Sequence, residues 1–522
     1  MEKNVKSVVN AAQMQAIDAY TIEQVGIPAI VLMERAALAV AQQVKKHNEK
    51  QDKILVVCGI GNNGADGAAA ARILYAEGYH ADILLAGDEE KASALAKQQL
   101  SIARNLGISI YNNIVISEYT IIIDAIFGIG LSRDVAGRYK ELIEEINQGD
   151  HKVFSVDIPS GLSADTAAPM GVSIRSDYTI TFGLNKIGLL LYPGCEYAGE
   201  ITVADIGFPQ KAVKAVNTPY FVYDNSDLCK LPVRKNYSNK GTYGKVLVIA
   251  GSANMSGACF FSAKAAYRMG AGLVKVLTAE ENRIILQSQL PEALMCTYDT
   301  DSFDSDGRNR IVQEIGWADA IVLGPGIGKY ESAEVLLELV IKHAEVPVIL
   351  DADGINLLAR KVDACMQERL QVDYPGSGLN RIEAIASCLP KQTVLTPHLK
   401  ELSILLDRPL QTIISGLMDT ADDCVMDHDH IIVLKDARTI VPAPGKRYIN
   451  TTGNNGMATG GSGDVLTGII AGLIAQGLTA EESAYLGVYI HGLAGDKAFE
   501  AKGSYSLMAC DIIEGIAQAV KL

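Results

Sequence analysis

Short apolar runs recur along the chain, separated by stretches of helical periodicity. Ile54-Leu55-Val56-Val57-Cys58 is unbroken, as expected of a strand buried on both faces. Comparable runs predict strands at 81–86, 120–127, 152–156, 178–182 and 200–203. Helical patterns lie between the earlier ones, which predicts βαβ units and a parallel sheet. Residues 11–44 read as largely helical. Met14, Ile17 and the span 29–40 give apolar faces, and Leu32-Met33-Glu34-Arg35-Ala36-Ala37 is a strong helix former. The charged run 45–53 reads as a solvated connection. A second series of strands is predicted at 245–250, 272–278, 321–323, 348–350, 394–395 and 431–434, with a small-residue helix over 257–269. Between the two series, 210–243 has no clean period and reads as a connection. The fold class is α/β, in two domains of about 1–220 and 221–522.

The length supports that division, because 522 residues exceed one ordinary core. The net charge of −15 argues against nucleic acid or an anionic membrane as partner. Nine cysteines, an odd count without C-x-x-C spacing, predict reduced thiols and a cytoplasmic protein. No signal peptide is expected, since the N-terminal residues lack an apolar core. No apolar run is long enough to span a bilayer. A homo-oligomer is expected, as for many glycine-rich α/β enzymes.

The 48 glycines change the picture because they gather where strands end. Gly59-Ile60-Gly61-Asn62-Asn63-Gly64-Ala65-Asp66-Gly67 follows the first strand and precedes an alanine-rich helix, the order of a nucleotide site. Amides such as Asn62 and Asn63 can bind phosphate or ribose, or coordinate a hard cation. Asp124 interrupts an isoleucine run just before Gly128-Ile129-Gly130-Leu131-Ser132-Arg133-Asp134. Asp157 opens Asp157-Ile158-Pro159-Ser160-Gly161. In open α/β sheets ligands bind beyond the carboxyl ends of the strands, so these groups should converge there. Each also serves as an ordinary turn former.

In the second series the strand ends carry Gly251-Ser252, Gly324-Pro325-Gly326-Ile327-Gly328, Asp351-Ala352-Asp353, Thr396-Pro397-His398 with Glu401, and Lys435-Asp436-Ala437-Arg438-Thr439. Lys435 and Arg438 suit a nucleotide phosphate. His398 reads equally as a satisfied histidine that caps a turn. The longest glycine-rich stretch, Gly453 to Asp464, feeds the apolar segment Val465-Leu466-Thr467-Gly468-Ile469-Ile470-Ala471-Gly472. A loop of this kind leaves amides free at a helix start, which favours an anion. Asp464 at that same end would weaken simple phosphate binding. It reads as a base for a hydroxyl beside the phosphate, or as a helix cap. Two features stand outside the pattern: 371–390, with Tyr374-Pro375-Gly376-Ser377-Gly378, reads as an inserted surface loop. Asp422-Asp423 with Asp427-His428-Asp429-His430 reads as an acidic connection or a metal site.

Together these motifs resemble the NAD(P)H-hydrate repair family, over nearly the whole chain. The first half is similar to an NAD(P)H-hydrate epimerase, which implies a Rossmann-like three-layer domain. The second is similar to an ADP/ATP-dependent NAD(P)H-hydrate dehydratase, which implies a ribokinase-like α/β domain. The resemblance implies that Asn62, Asn63, Gly64, Ala65, Asp66, the run Gly128 to Asp134 (Ile129, Gly130, Leu131, Ser132 and Arg133 between them) and Asp157 line the hydrate. It implies potassium on Asn63, Asp124 and Ser160. In the second half, Ala258, Gly326, His398 and Asp464 would face the substrate. Lys435, Asp436, Ala437, Arg438, Thr439 and Gly463 would hold ADP or ATP with magnesium. The expected substrates are NADHX and NADPHX, with Asp157 and Asp464 as the catalytic acids and bases. Three positions depart from the family: Asn239 stands where it has histidine, and Ala65 and Ala167 where it has glycine. Because the ribokinase-like fold hosts many chemistries, the alternative is a kinase of a small vitamin precursor joined to a nucleotide sensor.

Overall fold

A computed structural model of the chain describes residues 6–299, 305–372, 380–426 and 429–521. It divides into two compact units, Met1–Phe221 and Val222–Leu522.

The first unit holds a seven-stranded sheet. Its order is Ile110–Tyr111, His80–Leu85, Lys53–Cys58, Ile121–Ala125, Lys152–Val156, Tyr178–Phe182 and Glu200–Ala204, and every pair is parallel. The chain starts at Lys53–Cys58, builds to one edge, returns beside its start at Ile121–Ala125 and then builds the other way. That reversal is the Rossmann-like switch point, where the crevice of such a sheet opens. Helices Ala29–His47 and Asn62–Ala76 bury alanines and leucines on one face of the sheet. Lys45, Lys46 and His47 lie in the last helical turn rather than in a connection, where positive charge complements the helix dipole.

The glycine-rich segment after Lys53–Cys58 is shorter as a loop than its composition predicts, because the helix already begins at Asn62. Its glycines serve close approach. A Cβ on Gly59 would lie 2.0 Å from the Ile126 carbonyl oxygen, and one on Gly64 1.9 Å from that of Gly59. Ala65 needs no glycine: it is helical and packs in a small cluster with Met33, Ala92 and Ala96. Ala167 is buried with φ +61°, the region glycine favours, so it is held there by its surroundings. Residues 210–243 contain a helix, Gln210–Ala215, a short strand, Tyr220–Val222, and two 3-10 turns, the second capped by Asn239.

The second unit repeats the plan. Its parallel sheet runs Leu294–Tyr298, Leu273–Ala279, Lys245–Ile249, Ala320–Leu323, Val348–Leu350, Thr393–Leu395 and His430–Ile432. The reversal lies between Lys245–Ile249 and Ala320–Leu323. An antiparallel hairpin, Ile440–Ala443 with Lys446–Ile449, follows the last of these strands. Helix Ser462–Ala475 buries every residue from Val465 to Ile474, each isoleucine or leucine contributing roughly 2 kcal/mol. It packs on helix Ser256–Arg268 through Gly468 and Gly472. A Cβ on Gly468 would lie 2.2 Å from the Ser262 carbonyl oxygen, and one on Gly472 2.9 Å from Met269 Cβ.

The segment Tyr374 to Gly378 lies outside the described residues, between helices Asp353–Val372 and Arg381–Ser387. Asp427 and His428 also lie outside them. Asp422 and Asp423 form ion pairs with Arg447 and Arg408, both at 2.6 Å. Among the described residues no helix is long and apolar enough to cross a membrane. All nine cysteines are free thiols.

Candidate active sites

At the switch point of the first unit lies a cavity of about 640 Å³. Gly61, Asn62, Asn63 and Asp66 line it from the loop and helix after Lys53–Cys58. The run Gly128 to Arg133 lines it from the segment after Ile121–Ala125, and Asp157 closes it from the end of Lys152–Val156. Helix Asn62–Ala76 has no side-chain cap, so its first amides are open on this side. Gly64 and Ala65 are buried in helix packing, and Asp134 is exposed; none of the three belongs to the cavity wall.

Asp157 stands at φ +67°, an unusual backbone for a residue with a side chain. Its Oδ1 accepts from Lys186 Nζ at 2.6 Å and Thr181 Oγ1 at 3.1 Å. Lys186 is fully buried, and all three of its N–H donors are used, on Asp157, Thr181 Oγ1 at 2.7 Å and the Phe182 carbonyl at 3.0 Å. Burial pushes the Lys186 ammonium down from its ordinary range, while Asp157 opposes that shift. Among the described residues no donor reaches Asp157 Oδ2; the bonds to this carboxylate all go to Oδ1. Asp18 and Asp66 also line the cavity. Burial, and then the charge of Asp157, holds both carboxyls above the usual range, Asp66 well above it. An anchored lysine thus holds one oxygen of Asp157, beside two further carboxyls whose pKa values burial raises.

Behind the wall, Asp124 is fully buried. It accepts from Ser155 Oγ and from the Ser160 amide, each at 2.8 Å, and from Ser160 Oγ. Burial raises its pKa against these hydrogen bonds. No lysine, arginine or histidine pairs with it among the described residues. Asn63 Oδ1 lies against Gly128, and Asn63 Nδ2 is buried without a partner.

In the second unit five strand ends gather on one side. Gly251 donates its amide to the Pro325 carbonyl at 2.8 Å, which joins the two strands of the switch point. Gly326, at φ +61°, leaves room for Ala258: a Cβ there would lie 3.0 Å from the Ala258 methyl group. Asp351 is buried and bonds Lys435 Nζ at 2.6 Å and Thr396 Oγ1 at 2.8 Å. Gly463 sits over this pair, where a Cβ would lie 3.2 Å from Lys435 Nζ. His398 caps helix Leu399–Leu406 in a reciprocal box with Glu401, yet half its side chain stays exposed. In the run Asp436 to Thr439, Asp436 and Ala437 are exposed and Arg438 and Thr439 half-buried, with Arg438 bonded to the Thr451 carbonyl at 2.9 Å.

Asp464 lies in the first turn of helix Ser462–Ala475 and does not cap it. The N-cap is Gly461 at φ +92°, without a side-chain bond, and among the described residues no donor reaches the Asp464 carboxylate. Among the described residues no acceptor takes the amides of Gly460, Gly461, Gly463 and Asp464. Burial, and then the charge of Asp351, pushes the Asp464 carboxyl up to about 7, against the pull of Lys435. His491 reaches Ser462 Oγ through Nε2 at 3.3 Å, and burial lowers its pKa to about 4.

Three of these groups carry little signal in the sequence: Lys186 and Asp18 in the first unit and His491 in the second. A lone lysine before the apolar run Ile187 to Leu191 is the nearest thing to a clue.

A family model described as NAD(P)H-hydrate dehydratase matches residues 246–518, and one described as YjeF-related protein N-terminus matches 29–188. The bifunctional NAD(P)H-hydrate repair enzyme of Moorella thermoacetica is 34% identical, over 97% of this chain and 95% of its own. That of Thermofilum pendens is 32% identical, over 98% and 96%. Among solved structures, the ADP/ATP-dependent NAD(P)H-hydrate dehydratase of Bacillus subtilis aligns over 57% of this chain and 96% of that one, at 27% identity and a TM-score of 0.46. Matched along both units and across almost its full length, the chain belongs to the family of bifunctional NAD(P)H-hydrate repair enzymes.

Proposed function

We propose that Asp464 is the base of a nucleotide-dependent dehydration in the second unit, and that Asp157 is the acid/base group of epimerisation in the first. One observation carries the first assignment. Among the described residues, a carboxylate that no donor reaches shares the start of helix Ser462–Ala475 with four amides that no acceptor takes. The amides and the helix dipole favour a phosphoryl group, and the carboxylate beside them suits a hydroxyl to be phosphorylated.

The hydrated ring carries a hydroxyl on C6, and hydroxide is a poor leaving group. Asp464 takes the hydroxyl proton as the oxygen attacks the terminal phosphorus of the nucleotide. The bond from that phosphorus to the bridging oxygen breaks, and the loop amides hold the transferred charge. Phosphate then leaves C6 as a proton is lost from C5, which restores the dihydropyridine. Lys435 to Thr439 and Gly463 would hold ADP or ATP, while Ala258, Gly326 and His398 would face the hydrate. Magnesium fits as an ion carried on the nucleotide phosphates. No group of three His, Cys, Asp or Glu side chains forms a cage for it among the described residues.

In the first unit, Asn62, Asn63, Asp66 and Gly128 to Arg133 would line the hydrate, with Asp157 Oδ2 directed to its C6 centre. Potassium fits Asn63, Asp124 and Ser160, because an all-oxygen set around a buried carboxylate without a cationic partner suits a large hard ion. It would supply positive charge near the substrate phosphates. The nine free thiols suit a reducing compartment such as the cytoplasm.

The test of the reaction is direct: the chain is incubated with hydrated NADH and either ADP or ATP, and the dihydropyridine absorbance is followed. Nucleotide-dependent recovery of that absorbance is expected. A stable phosphorylated product without it would make the second unit a kinase instead.

The electrostatics add a pH prediction. Asp464 acts as base only when ionised, so kcat/KM for dehydration should fall below pH about 7. The negative charge of Asp351 raises the Asp464 pKa, and Asp351 also occupies Lys435. Asp351→Asn should therefore move the acid limb to lower pH. A limb that stays in place, or moves up, would sink the coupling.

A further inference from the structure

Helix Ala480–Lys502 presents one face to the glycine-rich loop. Gly492 and Gly495 admit it closely: a Cβ on Gly492 would lie 2.2 Å from Thr452 Oγ1, and one on Gly495 2.1 Å from Met457 Sδ. Thr452 Oγ1 bonds the Tyr489 carbonyl of the same helix at 3.0 Å. Asp496, one residue after Gly495, holds the next two residues of the loop. Its Oδ2 accepts from the Gly453 amide at 3.0 Å, and its Oδ1 from Asn454 Nδ2 at 2.9 Å. That second bond fixes the Asn454 amide, so its Oδ1 points at the Gly456 amide at 3.1 Å and starts the 3-10 turn Asn455–Met457. From that turn the chain runs on to Gly460 and the open amides beside Asp464.

We propose that Asp496 is a positioning residue for the dehydration, which sets the anion-binding loop through Gly453 and Asn454 without touching substrate. The inference rests on the reading of Asp464 and the loop amides given above. A preorganised loop matters because amides aimed at a migrating phosphoryl group must be in place before charge develops.

The experiment uses the full chain and both of its activities. Asp496→Asn keeps an acceptor for Gly453 but turns an amide donor toward the Asn454 donor. It should lower kcat for dehydration by about tenfold to a hundredfold, as expected of a small displacement of catalytic groups. KM for the hydrate should change little, and epimerisation in the first unit should be unchanged. Adding Asn454→Asp exchanges the pair. The amide now on the helix donates to the carboxylate now on the loop, which still accepts from Gly456. This double variant should recover kcat to within about threefold of the wild type, the mark of direct coupling between two sites. A residue that only stabilises the helix would not be rescued this way. Should Asp496→Asn fail to fold, Asn454→Ala removes the same bond from the loop side and should give the same loss of kcat. Wild-type kcat in the single variants, or a double variant no better than Asp496→Asn, would overturn the proposal. A wild-type chain that itself lacks nucleotide-dependent dehydration would instead sink the underlying reading.

Discussion

Asp464→Asn is expected to lower kcat for nucleotide-dependent dehydration about 10³-fold, the scale of a lost general base. The substitution keeps the shape of the side chain and removes only its basicity. Folding should not suffer, and the sign can be worked out. The native carboxyl titrates at about 7, above its unfolded value, so the native state binds more protons than the unfolded state between those limits. Its ionised form therefore weakens the fold as pH rises through about 7. Since no donor reaches the carboxylate among the described residues, asparagine leaves no partner there orphaned. The variant should melt at or above the wild-type temperature at pH 8 and differ little at pH 4. Loss of turnover together with a lowered melting temperature would point to damage instead. Near-wild-type turnover with a normal melt would remove Asp464 from the mechanism.

Much of this was legible because strands buried on both faces leave unbroken apolar runs. Lys53–Cys58, Lys152–Val156 and Val348–Leu350 follow the runs of the sequence almost residue for residue. Glycine was harder to read, since it marks either a turn or a close contact. Gly64 and Gly67 suggested a longer loop, yet both sit in a helix and admit a neighbouring strand end. The hairpin Ile440–Ala443 with Lys446–Ile449 was hidden because Pro442 interrupts a strand that is already short. Motifs with chemistry at a strand end were visible one by one, but the pairs between them were not. Asp351 and Lys435 are 84 positions apart, and Asp157 and Lys186 are 29. Only the fold joins them. His491 and Asp496 lie inside a long helix, where a polar residue ordinarily signals a solvated face.

That hidden pair decides the largest effect expected in the first unit. Lys186 has no donor left for substrate, so its contribution is to hold Asp157, whose second oxygen no donor reaches among the described residues. Asp157→Asn should slow exchange of the two hydrate epimers by about 10² to 10³-fold, a typical share for acid/base catalysis. With nucleotide present, the epimer that the dehydratase does not use should then accumulate. Lys186→Met should also abolish exchange, but for a further reason: it leaves a buried carboxylate without its partner, at a cost of about 3–5 kcal/mol of stability. The double variant Asp157→Asn with Lys186→Met separates the two effects. It removes both charges, so its melting temperature should recover towards the wild type while exchange stays at the spontaneous rate. Epimer exchange is read by separating the two forms over time without nucleotide, and stability by thermal melting. If the double variant regained exchange, the pair would be structural and the proton transfer would belong elsewhere, with Asp18 and Asp66 the next carboxyls on the cavity wall. If Asp157→Asn alone exchanged epimers at the wild-type rate, Asp157 would be an anchor for Lys186 and no more.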